Sequence, residues 1–547
     1  MQEAEGTQNF LNAVQNYPLL KGVQTNLYKC FMPLAWGLAS TAGVSALLHP
    51  EGPYDDPKGG ALREAMYTRL RAHFQFVNEL QLFAEVDHRT KYSINIYGPL
   101  QATPRFDQLA NLFAPATVDS CYQHDGSGIV GGYKSATGQW NTTGHFDRIV
   151  PIDDIALVTF AQLYDESGTT ARRARLPALH AGALKSVLSK LAAYPRRLAD
   201  LADEYVATEM WHETMQQKDG TISRRPTSDT GFAVKPADWV LSGPHFYLAN
   251  PYNKTPRKVC TVSANYDVVD LKTIPDDYLP RTNYLPMEDR AVYLRRTPSV
   301  SWVEPAEVST NPVTRYFRHI HRRAVGASNE RSAIGAIAPP DTGHIDGGFS
   351  ITFRRPSDLV QFSAGVCSLT ADFFVKSTGK GDFRGDLADK LPVLSDVPAI
   401  SSRYLALNCL TTHYAPLWEQ VYDLAFTDQS WSQPDNPRLP QDFWQDITSD
   451  WTRHCALRSD YARRFALVEI DVLVAQALGL TLDELLLIYP RAVPGDAGLR
   501  ARHLVRHHRP HRLHHQQRPG RRRPAPQRQP HHPQNQNHHP RRQSAPR

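Results

Sequence analysis

The 547-residue chain has no Cys-x-x-C pair, and its six cysteines (Cys30, Cys121, Cys260, Cys367, Cys409 and Cys455) stand far apart. That spacing argues against a zinc ribbon or a disulfide frame and fits reduced thiols in a cytoplasm. No run of eighteen apolar residues occurs, so no helical membrane span is expected. Met1 to Gly6 is polar and acidic, without an apolar signal region. His88, His124, His245 and His344 are isolated, with no metal-ligand spacing. No Gly-x-Ser-x-Gly string, Cys/His arrangement or nuclease signature points to hydrolysis. What is present is ordinary globular material, 41% hydrophobic and 10% aromatic. Its length allows about two to four domains.

The net charge of +6 is unevenly held. Residues 491–547 contain 14 Arg, no Lys and one Asp, a net of +13. Residues 1–490 are left with 47 basic against 54 acidic side chains, a net of −7. A DNA-binding surface on the body must therefore be a local patch, because the body as a whole repels phosphate.

The front of the chain reads as alternating helix and strand. Leu27, Phe31, Leu34 and Leu38 recur at helical spacing, and Pro33 must bend that helix or mark its start. Val44 to Leu48 is a short apolar run, expected to be a strand buried on both faces. Leu62, Met66, Leu70 and Phe74 predict a second helix, and Phe76–Leu80 and Tyr92–Tyr97 predict strands. This is α/β architecture around a central sheet. The segment 99–235 mixes loop and helix, with a helix expected over Ala181–Tyr205 and a surface excursion over Gly126–Thr143. From Trp239 to about Leu394 the pattern is strand-like and proline-dense, and helices are expected from Arg403 onward. Leu467, Ile470, Val474 and Leu478 line one helix that Gly479 can end. Thr481 and Glu484 have capping-box spacing for the next, expected to run to about Tyr489.

Two groups of strings carry a family resemblance. Thr25-Asn26-Leu27-Tyr28-Lys29-Cys30-Phe31 resembles the N/D-L-Y-x-x-F element of adenine-N6 DNA methyltransferases. The strand, the His49-Pro50-Glu51-Gly52 turn, Leu62-Arg63 and the strand after Lys91 follow it in the order of the second half of that family's sheet. Trp239-Val240-Leu241-Ser242-Gly243-Pro244-His245-Phe246 opens the second group, which continues through Asn250-Pro251-Tyr252-Asn253-Lys254-Thr255-Pro256-Arg257. Tyr266–Leu271 and Pro275–Tyr284 complete it. These strings are similar to the target-recognition region of large methylases of restriction–modification and phage-defence systems (type IIG, BREX and DISARM).

The resemblance implies a partial Rossmann-like methyltransferase sheet over 1–110 and a mixed linking and helical region over 111–235. It further implies a β-rich recognition domain over 236–400, a helical region over 401–490 and a disordered tail over 491–547. It implies double-stranded DNA as partner, S-adenosylmethionine as donor in the intact enzyme, and a cytoplasmic location. Asn26 would lie near the donor pocket, and Tyr92 where a ring packs on the extruded base. Lys254, Arg257, Lys258 and Arg281 stand among prolines, aromatics and amides, a setting that can grip phosphates and read base edges.

Methyl transfer to adenine needs a Gly-rich donor loop and an Asn/Asp-Pro-Pro-Tyr/Phe loop around the flipped base. No Asn-Pro-Pro-Tyr string occurs, and Asn250-Pro251-Tyr252 lacks the second proline. Gly126-Ser127-Gly128 follows no convincing strand. No catalytic or metal-binding residue is therefore assigned, and the chain alone is expected to be inactive. The alternatives are a non-enzymatic DNA specificity subunit serving a partner methylase, or a decayed gene product. Past Pro490 the chain lacks Lys, Ile, Phe, Tyr and Trp and cannot bury a core. Degenerate codons for Arg491 onward, read one base later, permit a string ending Trp-Tyr-Asp, so a frameshift is hypothesised there. Stop codons throughout the shifted frame would refute it.

Overall fold

In a computed structural model, which describes residues 2–24, 26–135, 137–326, 329 and 331–492, the front of the chain builds a five-stranded mixed sheet. Its strands are β1 (Ser45–Pro50), β2 (Leu70–Val77), β3 (Lys91–Tyr97), β4 (Arg105–Leu112) and β5 (Val150–Asp153), arranged β1-β3-β2-β4-β5. β3 runs antiparallel between β1 and β2, β4 lies parallel to β2, and β5 closes the far side antiparallel to β4. The sheet thus takes its last strand from well beyond residue 110.

Three expectations for this region need correcting. The spacing at Leu62, Met66, Leu70 and Phe74 is divided between a helix, Gly60–Tyr67, and β2. A step of four fits both a helix face and alternate residues of a strand, and pairing on both edges of β2 decides the matter. The Val44–Leu48 run is not buried on both faces. β1 is a rim strand with Leu48 54% exposed, and Val44, just before it, is 67% exposed. The Leu27–Leu38 helix runs through Pro33, and its apolar stripe faces outward, with Leu27 55%, Phe31 56%, Leu34 49% and Leu38 79% exposed. Its buried side carries Lys29, Cys30 and Met32 instead.

The helix expected over Ala181–Tyr205 stops at Ala193, and a 3-10 stretch follows from Leu198 to Glu204. Pro195 explains the break, since it disfavours helical geometry at Tyr194 and has no N–H to donate. Gly126–Thr143 forms no regular element, and Lys134 sits 4.4 Å over the Trp140 ring there.

Downstream, a four-stranded antiparallel sheet runs in the order Gly335–Ala338, Arg318–Arg322, Gly348–Phe353, Tyr205–Thr208. Helices return at Pro356–Val366 and Leu369–Ser377, earlier than Arg403. Both are buried around most of their circumference, so their sequences show no amphipathic period and pass for strand. The Pro398–Asn408 helix packs on the first of them and receives the Asp460–Ala477 helix on another side.

The Asp460–Ala477 helix forms as expected, with Ile470, Val474 and the capping Leu478 buried and Leu467 half-buried. Gly479 ends it at φ +72°, the left-handed conformation that favours glycine. The capping box also forms. Thr481 donates its backbone N–H to the Glu484 carboxylate at 2.7 Å, and Glu484 N–H reaches Thr481 Oγ1 at 3.3 Å. That last helix continues to Ala492. Buried ion pairs Arg331–Asp471 (2.8 Å) and Arg403–Glu469 (2.7 Å) tie the Asp460–Ala477 helix to its surroundings. The described residues form one compact unit. The expected tail begins inside the Leu482–Ala492 helix, at Arg491 and Ala492; the rest of it, 493–547, with its disorder and frameshift expectations, lies outside the described residues. Among the described residues no helix is long and apolar enough to cross a membrane.

Candidate nucleic-acid interface

Small two-stranded sheets build the recognition-like segment. Lys254–Pro256 pairs with Tyr266–Val268, Arg281–Thr282 with Gly231–Phe232, and Tyr284–Pro286 with Ile222–Arg224. The turns between such short strands must be held by side chains, and Thr230 holds several at once. Its backbone N–H donates to Lys258 O at 2.8 Å and its hydroxyl to Arg257 O at 2.7 Å. Its own carbonyl accepts from the Arg281 guanidinium. Arg281 lies 4.3 Å over the Phe232 ring, and its backbone N–H reaches Thr255 Oγ1 at 3.0 Å, next to Lys254. Three of the basic residues singled out in the sequence thus meet at Thr230, Arg257 and Lys258 through their carbonyls and Arg281 through its guanidinium, while Lys254 precedes the Thr255 that Arg281 contacts.

Arg257 and Lys258 are exposed, and Lys254 and Arg281 are half-buried. Arg257 pairs with Asp267 at 2.8 Å, with both side chains more than half exposed. Such a pair is worth roughly 0–1 kcal/mol and yields readily to a phosphate. Sequence reading missed Arg224 and Arg225. Arg225 donates its N–H to Asn283 O at 2.8 Å and lays its guanidinium against Gly231. Arg224 stands 5.9 Å over the Tyr284 ring. The only signal was the Arg224-Arg225-Pro226 string itself, remote in sequence from the other four residues.

The cluster is positioned from beneath by His245. Its Nδ1 accepts the Ser242 N–H at 2.9 Å and its Nε2 donates to Arg281 O at 2.9 Å, which requires the neutral ring. Burial lowers its pKa to about 4.

A second polar assembly lies at the carboxyl end of β1. His49, His73, Gln75, Ser93 and Asn95 share one face of the five-stranded sheet, with His49 opposite Ser93 and His73 opposite Asn95. The buried Glu51 carboxylate accepts from Gln75 Nε2 at 2.8 Å and from His73 Nε2 at 3.2 Å. Burial alone would raise Glu51. The His73 charge and hydrogen bonds from His73, Ser93 and Gln75 outweigh it and hold the carboxyl at about 2. Tyr54 donates to Asn95 Oδ1 at 2.5 Å, and Tyr28 stacks on His49 at 5.7 Å. Alternating polar residues on β2 and β3 are the sequence signal for this layer.

Asn26 is exposed just before the Leu27–Leu38 helix, and its side chain makes no capping bond. Tyr92 is buried against Phe76 (5.6 Å, stacked) and Phe83 (5.0 Å, edge-on), in a cluster with Leu109, Leu112 and Cys121. That is a sheet-core position, not one open to a base. No group of metal-ligating side chains is found among the described residues.

No family model matches the chain, and no curated protein matches it. Among solved structures it is similar to the type IIG restriction endonuclease BpuSI, at 11% identity and a TM-score of 0.26 over 88% of this chain and 51% of that one. It is also similar to the type IIL restriction-modification enzyme MmeI, solved in complex with DNA, at 9% identity and a TM-score of 0.34 over 87% and 52%. The chain thus spans about half the length of each. At these scores neither likeness carries an argument about fold or function.

Proposed function

We propose that this chain is the DNA-binding portion of a site-specific adenine-N6 DNA methyltransferase of the restriction–modification or phage-defence type. Methyl transfer would need a donor cradle and a base-gripping loop supplied from outside the described residues. The observation that carries the reading is the convergence on Thr230. Strings similar to the recognition region of such methylases fold so that Arg257, Lys258 and Arg281 meet at Thr230, with Lys254 next to the Thr255 that Arg281 contacts, although residues 1–490 have a net charge of −7. A local cation cluster on an acidic body is what phosphate contacts require. In the intact enzyme S-adenosylmethionine would supply the methyl group.

Fluorescence anisotropy with duplex DNA across a salt series tests this. Each phosphate contact contributes about 0.9 to the slope of log affinity against log salt. The double variant Arg257→Ala/Lys258→Ala should therefore reduce that slope by about 2. An unchanged slope, or no DNA binding by the parent chain, would sink the proposal. Labelled methyl groups should not enter DNA with the chain alone.

A further inference from the structure

We infer that Arg225 is a side chain of this interface that reads a base, and that the base is guanine. The inference rests on the DNA-binding proposal above and adds to it a specificity-determining residue.

Three observations single out Arg225 from the cations around it. First, its guanidinium is unpaired where those of its neighbours are engaged. Arg257 pairs with Asp267, Arg281 donates to Thr230 O and lies over Phe232, and Arg224 stands 3.8 Å from the Glu213 carboxylate. Arg225 makes no ion pair and no side-chain hydrogen bond among the described residues, and its Nε is enclosed without a partner while Nη1 and Nη2 reach solvent. A half-buried guanidinium has given up part of its water, and a ligand with acceptor atoms restores what it lost.

Second, the guanidinium is held flat on a rigid frame. A Cβ added at Gly231 would lie 2.6 Å from Arg225 Nη1, 2.8 Å from Cζ and 3.1 Å from Nη2. Cζ is as near as the nitrogens, so the group turns its face, not its edge, to the glycine. Only a residue without a side chain leaves that room. The backbone is fixed as well. Arg225 N–H donates to Asn283 O at 2.8 Å, and Pro226 holds the residue before it to extended geometry. The strands on either side, Ile222–Arg224 and Gly231–Phe232, pair with Tyr284–Pro286 and Arg281–Thr282.

Third, the neighbouring cations leave the fork a separate task. Lys254 and Lys258 carry ammonium groups, point charges suited to phosphate, and the exposed Arg257 has a partner that yields to one. A planar fork instead matches paired acceptors. In the major groove guanine alone presents them side by side, as O6 and N7, whereas adenine pairs an acceptor with a donor, cytosine offers a donor, and thymine offers an acceptor beside a methyl group.

Selection of the full chain on a duplex library with a randomised stretch tests this. The bound pool should show a position where guanine is enriched. Competition anisotropy between duplexes that differ only there should give a preference on the order of ten- to a hundredfold. Arg225→Ala and Arg225→Lys should both reduce that preference to about twofold or less, with preferences at other positions and the salt slope unchanged. The lysine variant keeps the charge without the fork, and it should keep the parent's thermal melt. Gly231→Ala keeps the arginine but displaces its guanidinium, and it should lose the same preference. A slope reduced by about 0.9, with all sequences weakened alike, would make Arg225 a phosphate contact and overturn the inference. So would a guanine preference that survives in Arg225→Ala, or a parent chain that binds DNA with no guanine position. Those results would leave the DNA-binding proposal standing, whereas a parent chain that binds no duplex at all would remove both.

Discussion

Two helices of this chain show the same apolar spacing and meet opposite fates. In Asp460–Ala477 and its cap, Ile470, Val474 and Leu478 are buried, whereas in Leu27–Leu38 the equivalent stripe is exposed. The difference is in what each helix has to lean on. The rear helix meets the Pro398–Asn408 helix and is anchored by two buried ion pairs. The front helix uses its less apolar side for the sheet, with Tyr28 on His49 of β1 and Trp36 edge-on to Tyr97 of β3. Periodicity says that a face wants burial, and only tertiary context says whether anything in the same chain supplies it. The rear helix finds its cover within the chain, and the front helix keeps its stripe exposed.

The largest expected effect separates the two regions by acid. The rear holds buried neutral histidines. Burial takes His245 to about 4 and His321 to about 3, and burial with the Arg318 charge takes His344 to about 3. An unfolded chain protonates these rings below about 6.5, so the unfolded state binds more protons between roughly pH 3 and 6.5, and stability falls as pH falls through that window. Each ring contributes on the order of 3–5 kcal/mol over the whole window. The front has a ring of this kind, His49, which burial also lowers, and beside it depends on Glu51, which is held at about 2. Its contribution is present above about 4.5 and is lost only as pH falls from there toward 2, on the order of 3 kcal/mol. Hydrogen exchange, corrected for intrinsic rates, should therefore show Arg318–Phe353 losing protection at higher pH than β1–β3. Simultaneous loss would break the comparison, and Glu51→Gln should flatten only the lower window.

The next effect is a core substitution made twice. Ile470→Ala should cost about 2–5 kcal/mol, through lost burial and an unfilled cavity. Leu34→Ala should stay within about 0.5 kcal/mol in the isolated chain, because half of that side chain is already in water. Urea midpoints measure both. A Leu34→Ala cost near that of Ile470→Ala would mean that the front stripe is covered in solution by something the purified chain itself provides.

The same contrast shows what could be read from sequence. The 467–484 segment was legible in detail because its signals were local: a stripe, a terminating glycine, and a Thr and Glu three residues apart. Pro356–Val366 was not, because a helix buried on most sides carries no period. The basic site was half legible. Lys254, Arg257, Lys258 and Arg281 stood out as cations among prolines and aromatics, but Thr230, which bonds to the last three, and Arg225, which packs against Gly231, carried no local mark. Asn26 and Tyr92 came from the resemblance alone, and neither is placed by the structure in a pocket. Long-range pairing through a neutral threonine is a tertiary fact that no spacing encodes.

The smallest effect probes the two helices through their glycines. Gly479 has φ +72°, where a side chain meets its own backbone, so Gly479→Ala should cost about 1 kcal/mol. Gly37 sits inside the Leu27–Leu38 helix with nothing within 4 Å of an added Cβ. There the methyl only narrows the unfolded ensemble, and Gly37→Ala should stabilise by about 0.5–1 kcal/mol. Opposite shifts in the urea midpoint are expected from the same chemical change. If Gly37→Ala were destabilising, its surface would be in contact with something already in the isolated chain, and the open face that distinguishes the front helix from the rear would not exist.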